Sequence, residues 1–202
     1  MRARLILATT IVCLVASGCT ADGGGSSEPS SSAPASPTGL DRLPTDELVV
    51  ARGAFCDRLA DAAPGRAVGG EVEDEEAYEP GDTAVLAPGV RDVAHEWSCS
   101  YTSGETVARA WLFTPPVTPE QARRLARSAV TEQCREVPGA EYGDPSVKVV
   151  CRNKQAVSVS WRGLFGDAWL SCSLRAPADT DLDELTRRAS VWCADVARAA
   201  AV

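Results

Sequence analysis

Hydrophobic and polar positions along this chain recur with two different periods. Trp97, Cys99 and Tyr101 alternate with Glu96, Ser98 and Ser100, which is the period of a strand with one buried face. Val147, Val149 and Cys151 alternate with Lys148 and Val150, and Val157, Val159 and Trp161 alternate with Ser158 and Ser160. Gly163 to Asp167 reads as a turn into a further strand, Trp169–Leu174, and residues 106–113 form a strand joined to the Cys99 strand through Ser103-Gly104. Three other segments have helical spacing. Residues 46–63 place Leu48, Phe55, Cys56, Leu59 and Ala63 on one face, and residues 119–134 do so with Ala122, Leu125, Ala126, Ala129, Val130 and Cys134. Residues 181–200 do so with Leu182, Leu185, Ala189, Trp192, Cys193 and Val196. Thr118-Pro119 with Gln121, and Asp181 with Glu184, carry the residue types of helix N-termini. The predicted order is helix, two strands, helix, three strands, helix: an α+β domain with helices packed on an antiparallel sheet.

Each predicted helix carries one cysteine (Cys56, Cys134, Cys193), and three predicted strands carry the others (Cys99, Cys151, Cys172). No Cys-x-x-Cys pair occurs, so the pattern favours structural disulfides over a zinc ribbon or a thioredoxin-type centre. Six cysteines allow fifteen pairings. The preferred set is Cys56–Cys99, Cys134–Cys151 and Cys172–Cys193, each joining a helix to a strand. A competing set follows a faint echo between Trp97-Ser98-Cys99-Ser100 and Trp169-Leu170-Ser171-Cys172-Ser173. It gives Cys99–Cys134, Cys172–Cys193 and Cys56–Cys151. Cys172–Cys193 is common to both.

The start of the chain has a different character. Arg2 and Arg4 precede an apolar run, Leu5 to Val15, and small residues Ala16-Ser17-Gly18 lead into Cys19. This order is a signal-peptide pattern, and the run is short of the roughly 20 residues a spanning helix needs. The small residues before Cys19 resemble the lipobox of bacterial lipoproteins, with Ala16 where leucine is usual. The resemblance implies cleavage before Cys19 and its modification by diacylglyceryl and palmitate-class acyl chains, which would anchor the protein on the outer side of the cell membrane. Residues 19–40 are nearly all Gly, Ser, Pro, Ala and Thr after the cysteine. They are expected to be a disordered spacer of about 25 Å. Residues 1–18 are thus read as signal peptide, 19–40 as lipidated cysteine and linker, and 41–202 as one domain.

The chain carries a net charge of −8, with 28 acidic and 20 basic residues, and eighteen of the basic residues are arginine. Such arginine usage goes with a GC-rich genome. An acidic chain without a basic stripe repels phosphate backbones, so no nucleic-acid partner is expected. His95 is the sole histidine and no Gly-x-Ser-x-Gly elbow occurs, so no catalytic residue is assigned. Asp179, Asp181 and Asp183 resemble the start of a calcium loop, but Glu184 and Ser190 stand where Gly and Glu are needed, and helix capping explains the acids better. No metal and no cofactor is expected. Glu71, Glu73, Asp74, Glu75, Glu76 and Glu79 read as a solvated acidic loop. Among the tryptophans, Trp97, Trp161 and Trp192 fall on core faces, while Trp111 and Trp169 are the candidate ligand contacts.

With Cys19, the Ser/Pro/Gly tether, Phe55-Cys56-Asp57 and Trp97-Ser98-Cys99-Ser100-Tyr101, the chain resembles the small cysteine-paired lipoproteins of the actinobacterial cell envelope. It has a more distant likeness to the extracellular sensor domains of receptor Ser/Thr kinases. The resemblance implies an envelope location and an α+β fold, with no catalytic residue. The expected function is non-enzymatic binding or sensing of a ligand or envelope protein. The alternative is an envelope hydrolase or its accessory factor. A deep pocket with His95 and carboxylates would favour the enzyme, and a shallow groove would favour binding.

Overall fold

The computed structural model describes residues 37–87 and 90–202. The predicted signal peptide, Cys19 and most of the predicted linker lie outside the described residues. Nine strands and three α-helices follow in the order α1 (Ala62–Val68), β1 (Asp74–Tyr78), β2 (Thr83–Ala87), β3 (Val90–Val93), β4 (Glu96–Ser103), β5 (Thr106–Phe113), α2 (Pro119–Ser128), β6 (Cys134–Glu136), β7 (Ser146–Arg152), β8 (Ala156–Phe165), β9 (Ala168–Pro177) and α3 (Leu182–Ala200). Strands β2 and β3 form a separate hairpin. The other seven form one sheet, β1-β4-β5-β9-β8-β7-β6, in which every neighbouring pair is antiparallel. The protein is therefore α+β, and the sheet dominates it.

Strand alternation explains where the core lies. Cys99 and Tyr101 of β4, Ala108, Ala110 and Leu112 of β5, and Leu170, Cys172 and Leu174 of β9 share one face with Val157, Val159 and Trp161 of β8. Helix α3 covers this face with Leu185, Ala189, Trp192, Cys193, Val196 and Ala197. The small side chains of Ala108 and Ala110 leave room for Trp192, which meets Tyr101 edge-on at 5.8 Å. Its indole N–H donates to the Arg109 carbonyl at 3.1 Å, so a buried polar group is satisfied and α3 is bonded directly to β5. Both predicted N-termini carry caps. Thr118 Oγ1 accepts from the Gln121 amide while Gln121 answers to Thr118, and Asp181 Oδ1 accepts from the Glu184 amide at 2.8 Å.

Several local expectations are corrected. Residues 46–63 do not form one helix. They run through short 3-10 turns at Thr45–Glu47 and Cys56–Arg58 before α1. A glycine inside a helix costs about 1 kcal/mol relative to alanine, and Gly53 sits mid-span. The backbone instead pairs with the chain end: Val50 bridges Ala201, and the Ala51 amide donates to the Ala200 carbonyl. Helix α2 stops at Ser128, whose hydroxyl donates back to the Leu125 carbonyl, and a turn at Thr131 delivers Cys134 to a strand. Among the acidic residues read as a loop, Asp74–Tyr78 form edge strand β1, paired with β4 from Asp74↔Thr102 to Tyr78↔Ser98. An exposed, charged edge resists further strand addition, so the acids fit this place. Strand β8 continues through Gly163 to Phe165, and only Gly166-Asp167 turn. At the front, Leu40 is buried and its amide donates to Ser190 Oγ, so the domain begins before residue 41.

The bridges are Cys56–Cys99, Cys134–Cys151 and Cys172–Cys193, with Cα separations of 6.0, 3.9 and 5.5 Å. Only Cys172–Cys193 joins a helix to a strand. Cys56 lies in a 3-10 turn, and Cys134–Cys151 links paired strands β6 and β7.

Candidate functional site

Among the described residues, the second face of the sheet is covered only in part. Ala122, Leu125, Ala126 and Ala129 of α2 and the segment after it pack on Leu164, Trp169, Val147 and Val149. Beyond α2, strands β1, β4, β5, β9 and β8 present a different set of side chains, brought together by register. Ser100, Arg109, Ser173 and Ser160 stand side by side across β4, β5, β9 and β8. Ser98, Trp111, Ser171 and Arg162 form the next row. On the other side run Thr102, Val107, Arg175 and Ser158, followed by Cys151 of β7. Strands lie about 4.8 Å apart and like-facing residues about 6.8 Å apart along a strand. Arg109, Arg162 and Arg175 therefore surround Ser173 and Ser160.

Short side chains between long ones make a hollow. Val107, Arg109, Trp111, Cys151, Ser158, Ser160, Arg162, Ser173 and Arg175 line an open groove of about 450 Å³, with serines as its floor and arginines as its walls. A smaller hollow of about 230 Å³ adjoins it, lined by Glu76, Tyr78, Glu96, Ser98 and Ser100 and sharing Arg109 and Trp111. Trp111 is thus the wall between a cationic compartment and an acidic one.

The electrostatics are uneven. Among the described residues, six ion pairs hold some of the arginines outside the groove: Arg42, Arg52, Arg66, Arg124, Arg187 and Arg198. Among the described residues, Arg109, Arg162 and Arg175 form none. The Arg162 guanidinium lies over the Trp111 ring, 5.8 Å from its centroid, a contact worth about 0.5–2 kcal/mol depending on burial. Arg162 is half-buried, and its Nε–H is buried without a hydrogen-bond partner among the described residues. Burial, which penalises the charged form, pulls its pKa below the usual arginine value. In the acidic hollow, Tyr78 Oη lies 3.2 Å from Glu96 Oε1, and burial foremost pushes the phenol pKa up.

The structure separates the two tryptophans expected to touch ligand. Trp111 is half-buried at the groove wall. Trp169 is 2% exposed beneath α2 and offers no free face. His95 is exposed ahead of β4, and its carbonyl accepts from the Thr114 amide. Asp181 is engaged as a helix cap. Among the described residues no group of three or more His, Cys, Asp or Glu side chains gathers to hold a metal, and no helix is long and apolar enough to cross a membrane. The arginines are not among the residues singled out by the sequence pattern, although a signal for them is present. Ser158-Val159-Ser160-Trp161-Arg162 and Ser171-Cys172-Ser173-Leu174-Arg175 repeat one Ser-x-Ser-x-Arg pattern on neighbouring strands. Antiparallel pairing sets the two arginines at opposite ends of one serine floor. Compared with known proteins, the chain matches no family model and no curated protein.

Proposed function

We propose that this protein is a lipid-anchored extracytoplasmic lipoprotein of the actinobacterial envelope, and that it binds or senses a ligand on its open sheet face without transforming it. The observation that carries the binding role is the groove beside Trp111: shallow, preformed on paired strands, and lined by arginine and serine. No histidine or carboxylate lies along it among the described residues. A rigid sheet holds such side chains in place before a ligand arrives, which lowers the entropy lost on binding. The anchor rests on Arg2 and Arg4, the apolar run, and Ala16-Ser17-Gly18-Cys19. The disulfides fit the same oxidising compartment.

The anchor is checked by intact mass of the protein from native membranes. The expected species begins at Cys19 and carries acyl chains, and an unlipidated form starting elsewhere would overturn that assignment. The binding face is checked by 15N–1H spectra of the full chain titrated with N-acetyl sugars, short peptides and organic phosphates. The indole signal of Trp111 and the amides of Ser160 and Ser173 are expected to move together, and Trp111→Ala is expected to weaken the responding ligand roughly tenfold or more. Because Trp111 lies outside the main core, the variant should stay folded. Responses confined to other surfaces would sink the assignment.

A further inference from the structure

Resting on the reading of the open sheet face as the binding surface, we infer that its ligand is a small organic oxyanion, a carboxylate or phosphate carried on an apolar or ring-bearing body. The anionic group sits over Ser173 and Ser160 among Arg109, Arg162 and Arg175. The body lies along Trp111 and Val107.

Four observations converge on this class. First, the register puts three arginines around two adjacent serines, and no carboxylate pairs with any of the three among the described residues. Like charges at neighbouring positions of one sheet face repel, so the face gains stability when an anion enters. Second, the Arg162 Nε–H is buried without a partner among the described residues, while its guanidinium lies over Trp111. A solvated surface arginine would satisfy that donor with water. Arg162 also lines the groove, and guanidinium groups match carboxylate and phosphate with paired donors. Third, the serine hydroxyls donate as readily as they accept, and they leave the floor low enough for a tetrahedral or planar oxyanion. Fourth, Trp111, Val107 and the Cys151 side chain supply an apolar margin that bare inorganic phosphate would not use.

The surroundings fix both orientation and size. Glu76 and Glu96 line the hollow on the β1 side of Trp111, so the anionic end is turned toward β9 and β8. The chain as a whole carries −8, which disfavours a polyanionic surface such as nucleic acid or an acidic bilayer and leaves a small anion as the complement of this local patch. About 450 Å³ accommodates a ligand of that size.

Calorimetric titration of the full chain with phenyl phosphate, with benzyl alcohol and inorganic phosphate as comparisons, tests this. Phenyl phosphate is expected to bind, more tightly at low salt and more tightly than inorganic phosphate, and benzyl alcohol is not. Arg162→Gln and Arg175→Gln should each weaken it by roughly tenfold to a hundredfold. The thermal midpoint of Arg162→Gln should change little, since relief of a half-buried charge offsets the lost contact with Trp111. Equal binding by wild type and both variants would overturn the oxyanion assignment. So would a Trp111-dependent response to a neutral sugar or peptide with none to phenyl phosphate, although the open face would then still be the binding surface. Loss of every Trp111-dependent response would overturn both. Light scattering that shows a dimer broken by Arg162→Glu would assign the face to a second copy of the chain and end the small-ligand reading.

Discussion

Replacing Gly163 with alanine is expected to lower stability by about 3 kcal/mol or more. Gly163 sits inside β8, paired with Ser146 and Leu170 on its two sides. The segment from Tyr142 to Pro145 crosses directly over it, held by the Asp144 amide to the Leu164 carbonyl at 2.8 Å and the Leu164 amide to the Pro145 carbonyl at 3.1 Å. A Cβ on Gly163 would fall onto the Tyr142 carbonyl oxygen. That atom belongs to backbone and has no rotamer by which to move aside. Relief requires lifting the crossing segment, and Tyr142 would be drawn with it. The ring is fully buried and meets Phe165 edge-on at 5.1 Å, so displacement opens a gap in the main core. Gly166→Ala is the control: its φ of +65° carries a strain of about 1 kcal/mol, but nothing stands within 4 Å of the added carbon. Urea unfolding of the two variants checks the contrast. A Gly163→Ala midpoint as high as that of Gly166→Ala would show that the crossing segment yields easily.

This glycine also shows what kind of information the sequence lacks. Gly163, Gly166 and Asp167 together read as a turn, because glycine marks turns and close approaches alike. Only the crossing of a distant segment distinguishes them. Where a pattern is self-contained, the sequence was informative. The alternation around Cys99, Cys151, Trp161 and Cys172 places β4, β7, β8 and β9, and the caps at Thr118 and Asp181 place the starts of α2 and α3. Where a partner decides, it was not. Leu48, Phe55 and Leu59 have helical spacing, yet the backbone between Leu48 and Phe55, at Val49, Val50 and Ala51, bonds to the chain end more than a hundred residues away. Asp74–Tyr78 lacks the apolar alternation of a strand and becomes one through pairing with β4.

The candidate site was legible to a lesser degree, for the same reason. Trp111 stands out in the sequence because its surroundings do not commit it to the core. Arg109, Arg162 and Arg175 belong to three strands separated by up to 66 positions, and each alone looks like a solvated outward residue. They form a cluster only once β5, β9 and β8 are laid in register. A Ser-x-Ser-x-Arg pattern repeated on two predicted strands can be found by reading the outward positions as carefully as the inward ones.

Removing the Cys172–Cys193 bridge by alanine at both positions is expected to cost about 3 kcal/mol in unfolded-state entropy, for a separation of 21 residues. About a further 1 kcal/mol follows from the space the two buried sulfurs leave. A domain of this size should then melt about 8–16 °C lower. The same chain-entropy argument assigns nearly as much to Cys134–Cys151, with a separation of 17. It holds, however, only where the cross-linked elements unfold with the whole domain. Cys172 lies in the inner strand β9 and Cys193 in the helix that covers it, both fully buried, so neither can leave without breaking the main core. Cys134 begins a three-residue strand at the sheet edge, which can peel from β7 while β8, β9 and α3 stay packed. Alanine at Cys134 and Cys151 is therefore expected to lower the melting temperature by less than half as much, and to raise amide hydrogen exchange in residues 131–137 first. Thermal melts of the two double variants, read with hydrogen exchange, decide the matter. Equal loss of melting temperature would mean that the β6 edge folds and unfolds as one unit with the centre of the sheet.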